Sequence, residues 1–89
     1  MIKHLKIYVR GLVQGVFYRA NASKKAEEFG IYGFAKNEAD GSVYIEAEGE
    51  EKSLKEFTAW CKEGPELARV EELKIAEGDL KNFSEFKIQ

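Results

Sequence analysis

The chain has 89 residues, 44% hydrophobic and 34% charged, with a formal net charge of −2 at pH 7. A chain of this size buries roughly 60–65% of its unfolded surface, enough for one core and too little for two, so a single domain over residues 1–89 is expected. The acidic balance argues against nucleic acid as a partner, because neutralised phosphates sustain that affinity, and the lack of any run of ~18 apolar residues excludes a spanning helix.

The opening stretch alternates polar and apolar residues where a secretory signal would carry an apolar block. Leu5, Ile7 and Val9 fall on one face and His4, Lys6, Tyr8 and Arg10 on the other, which predicts a half-buried strand over residues 4–10. His4 lies on the polar face without a Cys, His or clustered carboxylate partner, and reads as a surface histidine. After residues 11–19, read as a loop, Tyr18, Ala22, Ala26 and Phe29 recur at helical spacing. They predict a helix over about 20–29 that stops at Gly30. Residues 31–37 form a second strand, 38–41 a turn with Asp40-Gly41 at its tip, and 42–48 a third strand with Val43, Ile45 and Ala47 inward.

A second helix is expected over 50–63, with Leu54, Phe57, Trp60 and Cys61 as its apolar stripe and Gly64-Pro65 as its stop. The acidic run at 48–51 reads as its solvated start. Cys61 is the only cysteine, so no internal disulfide can form; its place on the stripe makes it a buried, inert thiol. That usage fits a reducing compartment, and a cytoplasmic monomer is expected. Residues 70–76 give a fourth strand and 84–88 a short last one, joined by a polar segment over 77–83.

Strand, helix, strand, strand, helix, strand is the order of the ferredoxin-like split βαβ sandwich, an α+β fold whose antiparallel sheet carries both helices on one face. In that fold the first two strands run parallel with the third between them, so their C-terminal ends share one edge of the sheet. Two strand spacings put those ends about 10 Å apart. The loop carrying Arg19 leaves the first strand at that edge, and Asn37 closes the second.

Residues 11–19 read Gly-Leu-Val-Gln-Gly-Val-Phe-Tyr-Arg. A glycine-bearing loop and a guanidinium at a helix start are the parts of an anion site: loop N–H groups converge on phosphate oxygens, the helix dipole favours negative charge, and Arg19 adds a planar fork of donors. Gly15 permits a positive φ or a close approach. The loop lacks Gly-Lys-Ser/Thr and is no Walker loop. With Gly-Phe-Ala-Lys-Asn at 33–37 and Asp-Gly-Ser-Val at 40–43, the sequence closely resembles the acylphosphatases, over nearly the whole chain.

That resemblance implies hydrolysis of a small acyl phosphate to a carboxylate and inorganic phosphate, with no cofactor and no metal. It assigns the phosphoryl group to backbone donors of Gln14, Gly15, Val16, Phe17, Tyr18 and Arg19, the anchoring charge to Arg19, and the orientation of the attacking water to Asn37. Ala22 stands where family members often carry Thr, with Asn21 and Ser23 as the polar neighbours. Taken alone, Asn37 reads as a turn residue capping the 38–41 hairpin. A rival reading is a sheet-based binding module, with Tyr8, Tyr44 and Tyr32 or Phe34 as a stacking platform like that of RNA-recognition motifs. Glu46 and Glu48 on the third strand weigh against it.

Overall fold

Period-two alternation builds the sheet, and 3.6-residue spacing builds the two helices that cover it. In the computed structural model, which describes residues 1–89, the elements are β1 (Ile2–Leu12), α1 (Tyr18–Phe29), β2 (Tyr32–Asn37), β3 (Val43–Glu50), α2 (Glu51–Glu63), β4 (Arg69–Gly78) and β5 (Phe86–Ile88). The sheet order is β4-β1-β3-β2-β5. Both helices pack on the face lined by Ile7, Val9, Ala35, Val43, Ile45 and Ala47, and meet them with Tyr18, Ala22, Ala26, Leu54, Phe57 and Cys61. Each fully buried Ile, Val or Phe contributes about 1.5–3 kcal/mol, and a one-residue register slip would expose a strand's whole set, so the register is fixed by burial.

The expected split βαβ order is present, with one departure in the sheet. β5 pairs with β2 in parallel, Gly33 opposite Phe86 and Ala35 opposite Ile88, whereas every other pair is antiparallel. The cause is the path of the chain. β4 ends where β2 begins, so the 79–85 segment crosses that end of the sheet and turns up alongside β2 in the same direction.

β1 extends beyond the expected 4–10, because it pairs along β4 through a register shift between Arg10 and Gly11. Gly11 is required there: its φ is +130°, and a Cβ would lie 2.2 Å from the Arg69 carbonyl oxygen. α1 also starts earlier than position 20, at Tyr18, so Arg19 lies within its first turn instead of ahead of it.

Two polar expectations are overturned. His4 is not a surface histidine but 1% exposed, and Glu48 belongs to β3 and is buried instead of opening a solvated helix. Both lie on the helix-free face, where the 79–85 segment covers them. The backbone N–H groups of Lys81 and Phe83 donate to the Glu48 carboxylate, Lys81 Nζ donates to Glu46 Oε1 at 2.9 Å, and the Phe83 ring stacks on His4 at 5.8 Å. His4 Nδ1 lies 2.8 Å from Glu48 Oε2. Its Nε2 is 3.0 Å from Glu46 Oε1 but makes no hydrogen bond.

Candidate active site

The loop over 13–17 leaves β1 at the edge of the sheet where β2 ends in Asn37, since both strands pair antiparallel with β3 between them. Two left-handed residues shape it: Gly15, with φ +73°, and Phe17, with φ +64°. Left-handed residues set in a turn are the device by which anion-binding nests bring successive N–H groups to one side. For Phe17 the conformation costs on the order of 1–2 kcal/mol, and its ring is 68% exposed, so neither local preference nor packing accounts for it. Backbone strain of this type gathers at ligand-binding sites.

Gln14, Gly15, Val16 and Phe17 donate no backbone hydrogen bond within the chain. Directly after them, α1 begins without a side-chain N-cap and without an acidic residue in its first turn. The orphan N–H groups of that turn and the positive end of the dipole are therefore unneutralised. Arg19 stands in this turn, half-buried, and its Nη1 donates to the Gln89 carbonyl oxygen at 2.6 Å. Gln89 N–H in turn donates to the Ala35 carbonyl at 2.8 Å, which ties the guanidinium to β2.

The side chains of the loop hold it in place. Tyr18 is buried, and its hydroxyl donates to the Cys61 carbonyl at 2.7 Å while its ring lies against Trp60. Burial pushes this phenol well above its ordinary pKa, so it stays a neutral donor. Val16 packs partly on the core. Gln14 Nε2 donates to the Glu38 carbonyl at 2.8 Å and to the Ser42 carbonyl at 2.9 Å, across to the β2–β3 hairpin.

Asn37 is exposed at the end of β2. It is not the hairpin's cap: Ser42 N–H and Oγ both donate to Asp40 Oδ1, at 2.9 and 2.6 Å, and Glu38 N–H donates to the Ser42 carbonyl. These contacts close the turn and leave the Asn37 amide facing solvent.

A sequence profile of the acylphosphatase family matches residues 5–88. The chain belongs to the acylphosphatase family. An acylphosphatase of Methylococcus capsulatus is 43% identical over 88 residues, covering 98% of this chain and 96% of its own. One from Archaeoglobus fulgidus is 43% identical over 84 residues, with 94% of each chain covered. The solved structure of an acylphosphatase from Coxiella burnetii superposes with a TM-score of 0.95 at 36% identity, covering 99% of this chain and 93% of that one. As an acylphosphatase the protein is an enzyme that hydrolyses acyl phosphates, on the ferredoxin-like α+β frame.

Around the acylphosphatase loop, Ala22 is fully buried against the core, and the Asn21 amide is engaged by the Phe17 carbonyl at 2.9 Å. The aromatic residues of the rival reading do share the helix-free face, Tyr8 and Tyr44 with ring centroids 4.8 Å apart. Tyr44 donates its hydroxyl to Glu46 at 2.7 Å, and Phe34 is met edge-on by Phe83. Reading the sequence alone misses the Gln14 side chain and Gln89. Their one signal is scarcity, since they are the only two glutamines of the chain.

Proposed function

We propose that the phosphoryl group of a small acyl phosphate lies on the backbone donors of Gln14, Gly15, Val16, Phe17, Tyr18 and Arg19, with the Arg19 guanidinium as its anchor and Asn37 orienting the attacking water. The observation that carries this reading is the coincidence of unused loop N–H groups, an uncapped helix start without acidic residues, and Arg19 in one turn of chain. Phosphoryl transfer passes through a loose transition state with charge on the equatorial oxygens, so fixed donors aimed at those oxygens do most of the work.

The carboxylate is a good leaving group and needs no strong acid. Water oxygen bonds to phosphorus as the bond from phosphorus to the acyl oxygen breaks, the carboxylate leaves with that electron pair, and a water proton passes to the products. Asn37 has no useful basicity; its side-chain oxygen accepts from the water and sets the line of attack. The reading takes the protein as a cytoplasmic monomer acting on a small molecule, with neither nucleic acid nor membrane as partner. No helix is long and apolar enough to cross a membrane.

Asn37→Ala tests the division of roles. Turnover should fall on the order of 10²–10³-fold, as for a deleted oxyanion donor, while inorganic phosphate still inhibits with similar affinity. Near-wild-type turnover in the folded variant would leave the water without an orienting group and refute the assignment.

A further inference from the structure

The sheet's hydrogen bonds do not directly join the strand that feeds the phosphate loop to the strand that ends in Asn37, because β3 stands between β1 and β2. The loop backbone has little support of its own, since residues 14–17 donate no backbone hydrogen bond and a Cβ built on Gly15 would meet nothing within 4 Å, while Val13 is buried in the core and Val16 packs partly on it. It is pinned at its exit by the Tyr18 hydroxyl on the Cys61 carbonyl. At its entry a single side chain, Gln14, spans to the hairpin, with Nε2 on the Glu38 and Ser42 carbonyls at 2.8 and 2.9 Å. An amide nitrogen has two protons, and both are engaged there.

The far end of this bridge is firm. Ser42 is buried and bonded twice to Asp40, and its carbonyl also receives the Glu38 N–H at 2.8 Å. Glu38 directly follows Asn37, and Gln14 directly precedes Gly15, the first left-handed residue of the loop. The bridge therefore joins the two halves of the site at positions one residue removed from each.

We infer that Gln14 is a positioning residue for hydrolysis: its side chain fixes the separation between the phosphate-holding loop and Asn37, and so the distance and line of the attacking water. This inference rests on the roles proposed above for the loop and Asn37. Gln14 acts through that geometry and does not itself touch the phosphoryl group with its side chain.

The test uses Gln14→Ala and Gln14→Glu, the latter keeping the length while setting an acceptor against two carbonyls, so that one variant remains if the other does not fold. Displacing a reacting group by about 1 Å costs up to ~10²-fold, so kcat on a synthetic aryl acyl phosphate should fall about 10–100-fold in folded protein. The inhibition constant of inorganic phosphate should stay within about threefold, since the N–H groups and Arg19 remain. The decisive measurement is the double variant: on an Asn37→Ala background, Gln14→Ala should cost kcat almost nothing more, because the residue it positions is gone. Wild-type kcat with only a lowered unfolding midpoint, single losses that multiply in the double variant, or a loss of phosphate affinity as large as the loss of kcat would each overturn the inference. If Asn37→Ala itself retains full turnover, the water-orienting reading fails and this inference with it; multiplying losses with a crippled Asn37→Ala overturn the Gln14 role alone.

Discussion

Arg19 is placed as a fork and not as a bare charge. One arm is fixed by the Gln89 carbonyl at 2.6 Å, which orients the planar group while its other donors remain for a ligand. Lysine keeps the charge but reproduces neither the fork nor that orientation. Arg19→Lys should therefore lower kcat/KM by about 10²-fold or more and weaken inhibition by phosphate as well, a pattern that separates it from Asn37→Ala; steady-state assays with a phosphate titration check this. Cys61 shows the opposite case, a chemically capable group kept out of the chemistry. Burial on the inner face of α2 pushes its thiol up to about 12. Native protein should resist a maleimide over hours and label fully in denaturant, as followed by mass spectrometry. Fast native labelling would show that the α1–α2 interface opens. This thiol is legible in the sequence because its stripe is a local periodicity, whereas His4 sits in an equally local alternation and is misread, since what buries it arrives from 75 or more residues along the chain.

At the scale of elements, β3 departs from simple alternation: Val43, Ile45 and Ala47 face the helices, yet Glu46 and Glu48 on the opposite face are buried too. The 79–85 crossing explains this, because its backbone donors need acceptors on a face without helices and Glu48 supplies them. Glu48→Gln keeps the shape but turns one acceptor into a donor against N–H groups. It should cost about 1–3 kcal/mol, as for leaving a buried donor unsatisfied, read from urea unfolding, with faster amide exchange confined to 79–85. Unchanged stability would mean that the crossing is held by Phe83 packing alone. α1 is the complementary case. Its missing N-cap forgoes about 1 kcal/mol of helix stability, and its first turn is retained by Tyr18 in the core. Sequence spacing finds the helix but not the early start, because Phe17 closes it with a left-handed conformation that ordinary residues avoid.

For the whole molecule, the buried carboxylates set the acid limit. Burial alone would raise Glu48, but the N–H groups of Lys81 and Phe83 and the nearby His4 outweigh it and hold the carboxyl below its ordinary value of 4.5. For Glu46, burial is likewise outweighed by the Tyr44 hydroxyl and Lys81. The unfolded chain then takes up these protons first, so the stability they contribute is whole above about pH 4.5 and is lost as pH falls through the lower folded values. The urea midpoint should drop across that acid window, and Glu48→Gln should flatten the drop. Catalysis, in the proposed reading, depends on N–H groups and Arg19, and no group of three His, Cys, Asp or Glu side chains is placed to hold a metal ion. Turnover should therefore survive EDTA, and a loss restored by Mg²⁺ or Zn²⁺ would contradict the mechanism. The sequence by itself determined the element order, the inward faces of both helices and of β3, and the loop with Arg19 and Asn37 at a shared sheet edge, because each follows from spacing within a dozen residues and from the topology that the order imposes. Only the tertiary structure decided the parallel β5, the burial of His4, Glu46 and Glu48, and the bridge from Gln14 to the hairpin. Those rest on contacts between residues 24 to 79 positions apart, and contacts across such separations leave no period in the chain that makes them.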